Sequence, residues 1–539
     1  MSSNSIRRHP NGEPRMPSLA TAGSGSARVG HFHPQVRSFV LLVFATLIVL
    51  AGQAHAAASY TVVDLGTLGG TFSYAARVNA NGQVVGGSTT AGEAELHAFL
   101  WAAAGGMVDL GTLGGTSSFA SGVNANGQVV GGSTTAGDAE LHAFLWTAAG
   151  GMVDLGSLPG VTFSYAVAVN DSGQVLVQTS SHSALWTQSG GMVDLGTLGG
   201  GSFPASINAS GQVVGSEYNE GEGRYHVFSW TAAGGMVDIG TLGGDYSELD
   251  SGFRFVNDSG QVVGSSSTAS GAIHAFSWTA GGGMIDLGSL SGEWDYSAAR
   301  AVSTSGQVVG QALVGNDVLH AFSWTPSGGM IDLGSPPPGG DANVNPTDVN
   351  ATGLVVGFSE PYCCGGGPFR AFAWTAAGGM IELPGLGGSL NSAGAVNDSG
   401  QVVGSSKTVG DAETHAVVWQ PTVYNFTGFF RPVENLPVLN GLKAGSAVPI
   451  KFSLGGDQGL NVFATGYPKS QTIACDPNVL VLGIDETVTA GGSSLSYDAT
   501  TTEYTYVWKT NSAWKNTCRQ FVTVFKDGTI HRADFKFKN

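Results

Sequence analysis

The sequence predicts an all-β protein: an eight-bladed β-propeller of ~45-residue repeats, closed by its N-terminal strand and followed by a small Ig-like β-sandwich. Three observations predict it. One unit recurs eight times between residues 60 and 419, and its copies are counted by Trp101, Trp146, Trp186, Trp230, Trp278, Trp324, Trp374 and Trp419. A period this long marks a supersecondary unit that must stack on its neighbours to bury its apolar face. The copies are also offset. Residues 60–66 (YTVVDLG) stand as an extra fourth strand before the first copy, while the last copy stops after Trp419, where Gln420-Pro421 replace GGMVDLG. A strand missing at one end and supplied at the other is how a propeller closes, whereas a parallel β-helix has no use for it. Composition agrees: 84 glycines, only 11 % charged residues and short apolar runs between turn residues describe strands.

Residues 1–56 read as a disordered leader and secretory signal peptide. Arg28 and Arg37 precede the apolar run 39–51 (FVLLVFATLIVLA), and Ala54-His55-Ala56 form an AxA-type cleavage site. The run is short for a membrane span of about 20 residues. The expected product begins near Ala57, is secreted or held at the cell surface, and keeps no stable membrane span. An uncleaved anchor is the alternative, and Met16 is a second candidate start.

Residues 57–419 form the propeller. The cleanest copy runs from 75 to 116, AARVNANGQVVGGSTTAGEAELHAFLWAAAGGMVDLGTLGGT. Four strands are expected per copy. The first is AxxVN, ending in an NANG, NDSG or NASG turn whose Asn/Asp and Gly suit a tight hairpin. The second is GQVVG, the third HAFxW, and a TAAGG turn returns the chain to the fourth, MVDLG. Neighbouring apolar residues such as Val129 and Val130 imply sheets covered on both faces. The third copy is short, which predicts a thin blade.

In a four-stranded meander the turns joining strands one to two and three to four share one face. These are monotonous. The connections joining two to three and four to one lie opposite and vary: 217–225 (EYNEGEGRY), 244–250 (GDYSELD), 292–296 (GEWDY) and 359–369 (SEPYCCGGGPF). Because function on a rigid scaffold usually sits on variable loops, the candidate ligand-binding residues are Tyr218, Tyr225, Tyr246, Glu248, Asp250, Glu293, Trp294, Asp295 and Tyr296.

Charge narrows the partners. The net charge is −17, and residues 60–419 carry six basic against 29 acidic side chains, which argues against nucleic acid, since phosphate contacts need Lys and Arg. The acidity fits a solvated surface, with calcium as the weaker alternative. The recurring His of HAFxW shares a strand face with Phe and Trp and reads as structural, bonded to a neighbouring strand. The recurring Asp of DLG (Asp64, Asp109, Asp154, Asp194, Asp238, Asp286, Asp332) fits an Asx-type bond to backbone N–H groups, with calcium or acid chemistry as the alternative. No GxSxG or HExxH motif occurs, and DLGTLGG lacks the Lys-Ser/Thr and helix of a phosphate loop. Of four cysteines, Cys475 and Cys518 suit a disulfide in an exported chain, worth roughly 4 kcal/mol in the chain-entropy model, whereas the vicinal Cys363-Cys364 has no further ligands for zinc.

At this level of detail residues 60–419 resemble the bacterial extracellular HAF-repeat family. The motif stands as His97-Ala98-Phe99, His142-Ala143-Phe144, His274-Ala275-Phe276 and His320-Ala321-Phe322, and departs at His182-Ser183-Ala184, His226-Val227-Phe228, Arg370-Ala371-Phe372 and His415-Ala416-Val417. That resemblance carries no biochemical activity with it. Residues 420–539 form the predicted sandwich; within them 425–539 resemble the bacterial PxKF domain, on Pro449-Ile450-Lys451-Phe452 and the preceding FTGFFRPVENLP (426–437). Its occurrence on secreted bacterial proteins implies an accessory or attachment role.

Together these readings give a non-enzymatic, exported scaffold for recognition, adhesion or surface structure, meeting an extracellular glycan or protein through variable loops on one face. A lectin-like glycan binder is the first alternative. A polysaccharide hydrolase or lyase is the second, because paired carboxylates can come from distant loops. No cofactor is expected.

Overall fold

A computed structural model describes residues 59–539, apart from 93–94, 222, 251, 292–294, 316–317, 337–341, 362–366, 377, 423, 461, 464–466, 476–494, 526 and 528. The leader and signal (1–56), Glu293, Trp294 and the Cys363-Cys364 pair lie outside the described residues.

The described chain is all-β, and no helix in it is long and apolar enough to cross a membrane. The repeats form separate four-stranded antiparallel sheets, each one copy: residues 69–109, 114–156, 164–194, 201–238, 243–286, 297–332, 342–382 and 387–421. The eighth takes its fourth strand from Tyr60–Asp64, paired with Thr414–Pro421 from Tyr60↔Pro421 to Asp64↔Val417. A single parallel bridge, Phe72↔Thr414, joins the eighth sheet to the first.

Strands are longer than the motifs suggested. The second strand of the first sheet is Val84–Thr90, taking in the STT that reads as loop, and the first is Gly69–Val78. The third sheet is the thin one, with middle strands of five residues, Val175–Thr179 and Ser183–Thr187. Burial falls from inside to outside. Val84, Val85, Ala98 and Phe99 are fully buried, while Val108 on the fourth strand is 47 % exposed. Consecutive buried valines require cover on both faces, and adjoining sheets supply it: Val84 packs with Ala395 and Val403 of the eighth sheet, Val85 with Ala120 and Val129 of the second.

The Gly that closes GQVVG is required by a close approach. The first strand carries a bulge between Ala75 and Arg77, and a Cβ on Gly86 would lie 1.8 Å from the Tyr74 carbonyl oxygen. The same contact recurs at Gly131 and Gly404.

Two repeated side chains tie sheet to sheet. In every copy but the sixth, where Ser303 stands in its place, the turn Asn accepts its own turn's backbone N–H groups through Oδ1 and donates through Nδ2 to the next copy's carbonyl: Asn79 to Asn124 (2.8 Å), Asn124 to Asn170 (3.0 Å), and at the last Asn397 to Asn79 (2.9 Å). A fully buried Ser does the same at the other end of the first strand. Ser118 Oγ accepts the Ala98 N–H and donates to the Gly111 carbonyl, and Ser73 accepts the N–H of Ala416 in the eighth sheet.

The C-terminal region forms two further four-stranded sheets around one core. Strands Ala447–Phe452 and Glu503–Lys509 alternate buried and exposed residues, placing Val448, Ile450, Phe452, Tyr504 and Trp508 inward to meet Phe521 and Phe535 of the second sheet. Strand Leu439–Lys443 pairs in parallel with Ile530–Lys538, and Cys475 is bonded to Cys518.

Candidate functional site

The conspicuous residues of the repeat pair with one another. In seven sheets the HAF-strand His bonds through Nδ1 to the DLG Asp, as in His97–Asp109 (2.9 Å), His142–Asp154 (3.0 Å) and His274–Asp286 (2.8 Å). His415 reaches Asp64 of the strand that completes the eighth sheet, at 2.8 Å. Each of these Asp residues also accepts the N–H of the Gly two residues on, at 2.8 Å for Gly66 and 2.7 Å for Gly288, making the expected Asx turn. The exception in the seventh sheet is informative. Arg370 and Glu382 occupy the two positions and form a 2.8 Å ion pair, so a charged donor–acceptor pair is kept although both partners change.

Some of these His residues hold a second carboxylate on Nε2. His142 meets Glu140 (2.9 Å), His415 meets Glu413 (2.7 Å) and His274 meets Asp295 (2.6 Å). For His274, burial works to lower the pKa, but the bonds and charges of Asp286 and Asp295 outweigh it and hold the imidazole above its usual range. His415, between Asp64 and Glu413, is raised by the same balance. Asp295 is in turn lowered, first by its bond from His274 and then by that from Ser289. Asp295, expected on a ligand loop, is thus committed to supporting the fifth sheet's histidine. Among the described residues no three His, Cys, Asp or Glu side chains gather as a metal site needs.

The remaining expected residues lie mostly on strands, which corrects their description as loops. Residues 217–225 are a hairpin extension, with Glu217↔His226, Tyr218↔Tyr225 and Asn219↔Arg224 in register. Glu217 is buried and accepts the Leu198 and Gly200 N–H groups, holding the connection into the fourth sheet. Tyr218 and Tyr225 stand 38 and 39 % exposed with ring centroids 5.2 Å apart, and Phe203, also exposed, lies 6.3 Å from Tyr225. Arg224 then bridges to Asp245 of the fifth sheet at 3.1 Å. Tyr246 and Glu248 lie on strand Gly243–Glu248, Asp250 just beyond it, and Tyr296 just before the sixth sheet. Burial raises the Tyr246 and Tyr296 hydroxyls, and burial followed by the Asp250 charge raises Glu248. Tyr218, Tyr225, Tyr246, Glu248, Asp250 and Tyr296 therefore fall on neighbouring sheets, four to six, as an aromatic and carboxylate-rich surface.

Arginines complete this region and were missed in the sequence. Arg300 sits on the bulge of its strand, packs its guanidinium 5.1 Å over the Phe253 ring, donates to Asn345 Oδ1 (3.4 Å) and stands 3.9 Å from Asp250. Deeper, Arg77 of the first sheet donates to the Gly252 carbonyl of the fifth at 2.7 Å, and Arg254 lies 3.9 Å from Asp348 of the seventh. Arg77 and Arg254 both line a cavity of about 300 Å³. A larger open depression of about 840 Å³ lies among the turns of the second to fourth sheets, lined by Asn126, Asp171 and Trp186, in motifs that every copy repeats. The signal for the arginines was their rarity: two of the six cations in the repeats line this cavity.

No protein-family model matches the chain, and a search of curated proteins finds no match.

Proposed function

We propose that the chain is an exported bacterial recognition protein of the HAF-repeat type, with residues 57–419 forming an eight-bladed propeller and 420–539 an Ig-like attachment module. The propeller reading is supported by three contacts that return from the eighth sheet to the first: the Tyr60–Asp64 strand, Asn397 on Asn79, and Ala416 on Ser73. The sandwich reading is supported by two four-stranded sheets sharing an aromatic core. Export rests on the apolar run 39–51 and the AxA site that follows it.

The observation that carries the functional reading is the exposed Phe203–Tyr225–Tyr218 cluster, continued through Arg224–Asp245 to Tyr246 and Glu248. Flat rings next to carboxylates favour the lectin-like form of recognition, since sugar C–H faces stack on aromatics while their hydroxyls bond to carboxylates. A glycan array with the protein from Ala57 onward tests this. Binding of a defined glycan class that falls about tenfold in Tyr218→Ala supports the reading. Absence of binding to every glycan removes the lectin form and leaves a protein partner. Release of shortened product would instead place the chain among polysaccharide-cleaving enzymes, with Glu248→Gln the first variant to assay.

A further inference from the structure

The interior cavity is distinct from the aromatic surface, and its lining carries two arginines and two aspartates, Asp171 and Asp258. Arg77 and Arg254, from the first and fifth sheets, both line it. The charges felt by Arg77 are Asp348, which favours it, and Arg254, which opposes it. Both guanidinium groups thus lie close to Asp348. Asp348 is also occupied otherwise: it is buried, and its Oδ2 accepts the Val396 N–H at 3.1 Å. The two arginines differ in what they have left to offer. Arg77 donates to two carbonyls, Ala76 at 2.9 Å and Gly252 at 2.7 Å, and serves as a strut between sheets. Arg254 has its ion pair to Asp348 at 3.9 Å, beyond hydrogen-bond distance, and its side chain is 45 % exposed. Among the described residues its guanidinium hydrogen-bonds to none, so the fork of donors faces the cavity.

Acidic side chains near the cavity are already engaged. Asp171 and Asp258, on turns that border it, each accept a neighbouring backbone N–H at 2.9 Å, from Ala125 and Ala209. About 300 Å³ is at the lower end for a small-molecule site. We propose that this cavity is an oxyanion site, in which Arg254, with Arg77 behind it, holds a carboxylate or sulfate group. A planar guanidinium matches either group with two parallel N–H bonds. The group is carried by a free anion or by an acidic saccharide.

Calorimetric titration of the protein from Ala57 onward, at fixed ionic strength, tests this with inorganic sulfate, D-glucuronate and D-glucose as probes. Saturable binding of sulfate or glucuronate, with none of glucose, is expected. Glucuronate binding more tightly than sulfate assigns the acidic saccharide, and the reverse assigns the free anion. Arg254→Gln should weaken binding about tenfold or more, and Arg254→Lys, which keeps the charge, should retain part of it with the fold intact by thermal unfolding. Absence of saturable binding by both anions overturns the proposal. So does binding that Arg254→Gln leaves unchanged, because the anion then sits elsewhere. The aromatic surface stands or falls separately, since Tyr218→Ala should leave sulfate binding untouched.

Discussion

The outer half of each sheet and its inner strand carry the same backbone under different rules. On the outer half, His and Asp stand twelve residues apart in copy after copy, and where one changes both do, to Arg370 and Glu382. On the inner strand, the position two before the turn Asn is Arg77, Gly122, Ala168, Ser206, Phe255 or Asp348, from the smallest side chain to the longest. The outer pair is answerable to its own sheet, so it varies only in concert. The inner residue is answerable to more than its own sheet: Arg77, Gly122, Ala168 and Ser206 line one shared cavity, while Phe255 joins a buried core. Repetition here marks architecture, and divergence marks the place where chemistry can be placed.

The largest test of that contrast is Trp419→Ala. This side chain is fully buried, donates to the Pro384 carbonyl at 2.7 Å and lies beneath the strand that completes the eighth sheet. A loss of about 3–5 kcal/mol in denaturant unfolding is expected. Next, Asn397→Ala removes the bond to the Asn79 carbonyl and leaves the part-buried Gln401 N–H without its side-chain acceptor, at about 1–3 kcal/mol. A cost near zero would mean that the link from the eighth sheet to the first is not needed.

A smaller effect should follow pH. The folded pKa of His274 is raised, so its contribution is fully present below the unfolded value of about 6.5 and is lost as pH rises through the folded value. Asp295 is lowered, so its contribution is present above the ordinary carboxylate value and lost as pH falls through the folded one. The His274 contribution should therefore fade as pH rises above about 6.5, and Asp295→Asn should shift that decline to lower pH in thermal unfolding. A profile unchanged in Asp295→Asn would show that this second carboxylate does not bear on His274. Smallest of all, the double change Arg370→His with Glu382→Asp should alter stability by about 0.5 kcal/mol or less, whereas Glu382→Gln alone costs up to about 1 kcal/mol.

Much of the architecture was legible because the strand period and turn residues repeat eight times, so Val84, Phe99 and the NANG turn needed no structure to be placed. The His–Asp pairing was legible too, in the constant twelve-residue spacing that includes Arg370 and Glu382, but only when copies are compared with each other. The strand ends were not. Tyr218 and Tyr225 sit in residues that look like loop, because polar EYNEGEGRY continues the ladder only when its partner strand is at hand. The interior arginines were hidden for a different reason. Nothing within one strand tells that Arg77 spans to Gly252, 175 residues away; that contact exists only after the sheets are assembled.

The strand Tyr60–Asp64 has a consequence for the order in which the molecule is made. In seven sheets all four strands come from one copy, so each can form as soon as its stretch of chain is available. The eighth waits for Asp64 to meet His415, a contact separated by 351 residues. Such a closure carries the greatest loop entropy in the repeats and comes last. Until then the strand Tyr60–Asp64 remains an unpaired edge, open to the eighth sheet of another copy, and exchange of that one strand would link two chains through the same contacts made between them.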